Sequence, residues 1–315
     1  MKKIILGLCF FFAFGFISGV KHIFPYHWIV TTYTTVRDII PSQIALLMGG
    51  EPQGWDYLAE PEGMKTCTIQ EIENVPIGAI AFIGHAYGDA YGETPTMDSF
   101  LSQNVSEFLS TNSHLLSSII FTGDLFRFPS MKKWRKLDNE FGTNLNIYIA
   151  PGNHDVERPA ERDVFEQSVY GSIQYPHVVS TKFGQILLED SVSSNWSVPS
   201  SSINIINSQK YNIAIVGRHN IPIKELAKYS NSPEGWGVDM DTISSLKDKI
   251  PDNKIIWIIG DGGKYDFMPR MKCLSVENHM FIINGIGEVK GDSVILLSNG
   301  NLYSYTIDEI NTHPK

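Results

Sequence analysis

Cysteine is scarce in this chain: 315 residues hold three, too few for a disulfide framework. Cys9 falls inside an apolar segment. Cys67 and Cys273 remain as two that an oxidising compartment would allow to pair, although their spacing does not decide it. Positive charge is also short, with 25 Lys and Arg against 34 Asp and Glu and a net charge of −9. Nucleic acid and acidic membrane surfaces each demand a basic face, so both are excluded as main partners. The single basic run, Lys132-Lys133-Trp134-Arg135-Lys136, reads as the solvated side of a helix. No internal repeat or low-complexity tract stands out, which excludes a repeat array. A Gly-x-Ser-x-Gly elbow is missing too, and with it the serine α/β hydrolases.

Apolar residues are plentiful at 43%, enough to build a core in one large or two small domains. Met1-Lys2-Lys3 precedes an uncharged run over residues 4–20, the pattern of a signal anchor or an export signal. The run is long for a signal-peptide core and short for a bilayer span, and Ile17-Ser18-Gly19 is a poor cleavage site, which favours an uncleaved anchor. Either way the remainder is expected outside the cytoplasm. Residues 21–75 read as a linker or N-terminal extension, and residues 76–310 as the main domain.

From residue 76 strands alternate with helices. Strands are expected at 77–83, 118–122, 147–150, 184–188, 211–216 and 255–259, and helices at 97–109 and 130–142. Three short strands fill 281–307, the last two meeting in a hairpin at Asn299-Gly300. Alternation of this kind implies parallel strands with right-handed crossovers, and ligands then gather at the carboxyl ends of the strands. Turns built from Gly and polar residues fall there: Gly84-His85, Gly123-Asp124, Gly152-Asn153-His154-Asp155, Gly217-Arg218-His219 and Gly260-Asp261.

In that order these turns resemble the calcineurin-like metallophosphoesterases, including the purple acid phosphatase branch. Gly123-Asp124, Gly152-Asn153-His154-Asp155 and Val216-Gly217-Arg218-His219 match the second, third and fourth motifs. The first and fifth depart from the pattern. His85 stands where the family carries an Asp, often followed two residues later by a His, and Asp261 stands where the fifth block has its first His, with Gly263 removing the second. The number of anionic ligands is thereby preserved.

The resemblance implies an α/β (α+β) fold, a four-layer α/β/β/α sandwich behind an N-terminal anchor or signal. It also implies two divalent metal ions. Asp124 would bridge them, Asn153, His219 and Asp261 would complete one, and His85 would serve the other with help from Asp89 or water. Mixed carboxylate, imidazole and amide donors suit Mn, Fe or Zn, and three carboxylate-type donors lean toward Mn or Mg. The activity implied is hydrolysis of a phosphate ester by metal-activated hydroxide, on a phosphorylated small molecule or an envelope component. His154 would protonate the leaving oxygen, with Asp155 orienting its ring. Arg127 and Arg218 would clamp phosphate oxygens or form structural salt bridges. A binding or accessory protein that kept the fold and lost turnover is the alternative. The Ser-rich residues 191–202 read as an exposed loop or a lid.

Overall fold

The computed structural model describes residues 60–88, 100–208, 213–230, 239–262, 271–287 and 291–307. The expected anchor, most of the 21–75 extension, Asp89 and Gly263 lie outside the described residues. Among the described residues no helix is long and apolar enough to cross a membrane.

The strands are β1 (Lys65–Thr66), β2 (Gln70–Glu71), β3 (Ala79–Ile83), β4 (Leu116–Phe121), β5 (Asn146–Ile149), β6 (His177–Thr181), β7 (Gly184–Leu188), β8 (Ile213–Arg218), β9 (Ile255–Ile259), β10 (Met271–Val276), β11 (His279–Asn284), β12 (Ser293–Ser298) and β13 (Asn301–Thr306). The helices are α1 (Gln103–Asn112), α2 (Met131–Leu137), α3 (Asn153–Val156), α4 (Pro159–Glu166), α5 (Ser200–Ile206) and α6 (Ile243–Lys249). The result is a mixed α/β fold with two mixed sheets. One runs β2-β13-β12-β3-β4-β5, the other β1-β10-β11-β9-β8-β7-β6. Their centres are parallel, β3-β4-β5 in the first and β7-β8-β9-β11 in the second, as the strand–helix alternation requires.

Period-two side-chain alternation gives the strands two faces. Ile80, Phe82, Ile120 and Ile295 of one sheet share a buried cluster with Ile186, Leu188, Ile215, Ile258 and Ile282 of the other. The opposite face of the first sheet, Ala81, Ile83, Ile119, Phe121 and Ile149, packs with Val105 and Phe108 of α1, Trp134 and Leu137 of α2 and Phe165 of α4. Buried on both sides, β3 carries no polar residue at all.

Local chemistry sets the element ends. Helix α1 starts only after Ser102, whose side chain accepts the Val105 N–H, so Phe100 and Leu101 lie outside it. Ser130 caps α2 in the same way. In the basic run Lys132, Arg135 and Lys136 are exposed, whereas Lys133 is buried and donates to the Phe128 carbonyl at 2.7 Å. Strands β6 and β10 were not expected from the pattern, β11 being the first of the three expected in 281–307; β6 is a half-exposed edge strand without a clean apolar alternation. Residues 60–75, placed in the extension by sequence, supply edge strands instead: β1 pairs with β10 and β2 with β13. A Cys67–Cys273 disulfide, with Cα atoms 5.0 Å apart, fastens this segment.

Candidate metal centre and active site

The carboxyl ends of β3, β4 and β5 in one sheet face those of β8 and β9 in the other, and glycine lets them meet. A Cβ on Gly260 would stand 1.8 Å from the Thr122 carbonyl oxygen, and one on Gly84 would stand 2.4 Å from the Gly260 Cα. Backbone therefore packs on backbone at the crossing, where no side chain fits. The next residues, His85 and Asp124, hold φ of 52° and 55°, a conformation uncommon outside glycine although Asp and His tolerate it better than most. Strain of this sort concentrates where a side chain must be aimed.

His219, fully buried at the end of β8, is aimed by its Nδ1, which donates to the Thr122 carbonyl at 3.1 Å. That assigns the proton to Nδ1 and turns Nε2 inward. Around Nε2 stand Asn153 Oδ1 at 3.1 Å, Asp124 Oδ1 at 3.4 Å and Asp261 Oδ1 at 4.0 Å. Four acceptor atoms converge, and only a cation or a shared proton satisfies them together. Donors of a tetrahedral ion at about 2.1 Å lie roughly 3.4 Å from one another, so this set fits one divalent ion. Among the described residues no group of three or more His, Cys, Asp and Glu side chains is arranged to hold a metal by itself. The fit depends on the Asn153 amide and on Asp261 closing in from 4.0 Å. Ser230 holds the far side of Asp261, its hydroxyl donating to Oδ2.

The donors for a second ion are poorer. His85 Nδ1 donates to the Ile286 carbonyl at 3.0 Å, and its ring lies 4.2 Å from that of Tyr87. The Arg127 guanidinium approaches His154 Nε2 at 3.0 Å and the Tyr87 hydroxyl at 3.5 Å, and sits over the Tyr87 ring at 5.8 Å. A fixed cation thus lies beside His154. Arg127, Asn153 and His154 are half-buried and open to a ligand, whereas His85, Asp124, His219 and Asp261 are buried.

Burial alone would raise the Asp124 pKa. The imidazoles of His219, His154 and His85 and the His154 backbone N–H outweigh it and hold the carboxylate at about 2. Asp155 moves the other way, pushed up to about 7 by burial and by the charge of Asp124 against the backbone donors that stabilise it. His219 is desolvated, yet Asp124 and Asp261 raise its pKa, so any cation bound at Nε2 would have to displace a proton.

Six of the nine site residues named from sequence meet here: Asp124, Asn153, His154, His219 and Asp261, with Arg127 beside them. His85 is close enough for its charge to act on Asp124. Two roles are corrected. Asp155 does not orient the His154 ring; its carboxylate accepts the backbone N–H groups of Asp124 (2.8 Å), Gly152 (3.0 Å) and Leu125 (3.2 Å) and locks the two turns together. Arg218 does not face a phosphate. Wholly buried, it pairs with Glu189 at 2.7 Å and donates to the carbonyls of Asn220 and Trp196. Its place one residue before His219 points it to the other side of β8.

Tyr87 and Ser230 were missed. Tyr87 had a signal, standing two residues after His85 where the family's first block often has a His. Ser230 had none, since it reaches the site from a separate turn. No family model matches the chain, and a search of curated proteins found no match.

Proposed function

We propose that this chain is a metal-dependent phosphoesterase working outside the cytoplasm, on a four-layer metallophosphoesterase-type sandwich. The observation that carries this reading is the convergence of Asp124, Asn153 and Asp261 oxygens on His219 Nε2, next to the half-buried His154 and Arg127. Asp124, Asn153, His219 and Asp261 would hold one divalent ion, of Mn, Fe, Zn or Mg type. When bound, such an ion supplies Lewis acidity and brings the pKa of water toward neutrality.

The chain's own groups do the rest. Arg127, stacked on Tyr87, supplies planar donors for two phosphoryl oxygens and takes the place of a second cation. At rest it donates to His154 Nε2, which keeps that nitrogen unprotonated. A phosphate that engages Arg127 frees Nε2 to take a proton from solvent and pass it to the leaving oxygen. The His154 backbone N–H holds Asp124 Oδ1 at 2.9 Å, so ligand and acid move as one unit. The disulfide supports an oxidising compartment.

The accessory-protein reading draws on one observation: His85 donates through Nδ1 to the Ile286 carbonyl and is flanked by Tyr87 and Arg127, a neutral ring and a cation that are poor company for a second ion. Full-length protein assayed with an aryl phosphate and added Mn or Zn separates the two. The expected outcome is phosphate release with about one ion per chain by elemental analysis, and a loss of about 10²–10⁴-fold in His154→Ala. A folded protein that takes up no divalent ion and cleaves no phosphoester sinks the enzyme reading.

A further inference from the structure

Asp261 carries two carboxylate oxygens, and they have different surroundings. Oδ1 lies 4.0 Å from His219 Nε2, whereas Oδ2 accepts the Ser230 hydroxyl. Both residues are buried, Asp261 at 2% and Ser230 at 6% exposure, so solvent does not readily replace that hydroxyl. The Asp261 backbone is held as well, its N–H donating to the His219 carbonyl at 3.1 Å. Anchored at the main chain and at one oxygen, the carboxylate has little freedom to rotate.

Ser230 reaches this place because the segment after β8 is pinned along its length. Ile221, Ile223, Leu226 and Tyr229 are wholly buried. The Lys224 N–H donates to the Asp241 carbonyl at 2.9 Å, and the Asp241 N–H to the Pro222 carbonyl at 3.2 Å. A 3-10 turn over Lys224–Tyr229 then closes, the Ser230 N–H donating to the Ala227 carbonyl at 3.1 Å. One segment therefore carries a candidate ligand, His219, at its start and the hydroxyl that steers Asp261 at its end.

A carboxylate with one oxygen engaged in this way offers a cation the other alone. Single-oxygen ligation suits a small first-row ion with few donors. Calcium instead collects about 6–8 oxygens at about 2.3–2.6 Å and often takes both oxygens of one carboxylate. We infer, from the metal centre proposed above and resting on it, that Ser230 is a positioning residue: it makes Asp261 a one-oxygen ligand and turns the centre toward a first-row ion of the Mn class and away from calcium. A hydroxyl that merely filled space would leave the choice between ions unchanged.

The test is calorimetric titration of the full chain, stripped of metal with a chelator, with manganese chloride and separately with calcium chloride. The native chain should bind Mn more tightly than Ca. In Ser230→Ala the Mn affinity should fall by about 10–100-fold and the Ca affinity by much less, so the preference narrows. Ser230→Thr keeps the hydroxyl and should keep the native preference. Equal losses for both ions in Ser230→Ala overturn the inference. So does unchanged Mn binding in that variant at a native melting temperature, which leaves the metal centre itself standing. Ca binding as tight as Mn in the native chain overturns it without any variant. A native chain that binds neither ion overturns the positioning role and the metal centre together. The expected shift in a chain that cleaves no phosphoester supports the role of Ser230 while the hydrolytic reading falls.

Discussion

Asp155 accepts three backbone N–H groups from a fully buried position, so its removal exposes no surface and strands three donors. Asp155→Ala is expected to cost about 3 kcal/mol or more, read from urea unfolding, because each buried unpaired donor costs about 1–3 kcal/mol. A residue that only steered the His154 ring would lower turnover and leave the unfolding midpoint in place. At the other end of the sheet His279 is buried at the start of β11, and its Nδ1 accepts the Trp257 indole N–H at 3.2 Å. That bond and burial both disfavour the imidazolium, and the pKa is lowered, with burial the main cause. The sign follows: the neutral form belongs to the native state. Its contribution is fully present above the unfolded value near 6.5 and is lost as pH falls through the lowered native value. Stability measured from pH 7 downward should therefore decline less steeply in His279→Gln than in the native protein. An unchanged slope would refute it.

At the scale of elements, the site depends on strand ends that touch. Gly260 ends β9 against the Thr122 carbonyl that ends β4, with no room for a methyl group. Gly260→Ala must push the two sheets apart, and a loss of at least about 1–3 kcal/mol is expected from overpacking. Metal uptake should fall with it, since the same carbonyl aims His219. Full metal binding at native stability in that variant would show that the crossing does not set the site. Much of this was legible in sequence. Within the expected runs, Ala79–Ile83 and Ile255–Ile259 are strands because a stretch buried on both faces needs no alternation, whereas Ile77 stays outside its strand, exposed in the preceding turn. Asn299-Gly300 makes its hairpin because both residues take positive φ, 50° and 76°. Less legible were the direction of Arg218, which depends on which face of β8 it leaves, and the start of α1, which Ser102 decides. The edge strands β1 and β2 were hidden because two-residue pairings leave no periodicity.

For the whole molecule the Cys67–Cys273 bridge matters most among the described features, because it spans a sequence separation of 206 residues. Chain-entropy reasoning assigns a loop of that length up to about 5 kcal/mol, through the unfolded state. Reduction under native conditions should lower the urea midpoint substantially while leaving the contacts among Asp124, Asn153, His219 and Asp261 in place, since neither cysteine is among them. An unchanged midpoint in reductant would show that β1 pairing alone holds the segment. Sequence alone determined the alternation of strands and helices and the identities of the polar residues at the strand ends, because burial period and turn chemistry are local properties. It also marked Asp124, Asn153, His154, His219 and Asp261 as one group. Only the tertiary structure decided that Asp155 and Arg218 are structural, that Arg127 lies between Tyr87 and His154, and that Cys67 meets Cys273. Those outcomes depend on which atoms of distant segments come within about 3 Å of one another, a distance that no spacing along the chain encodes.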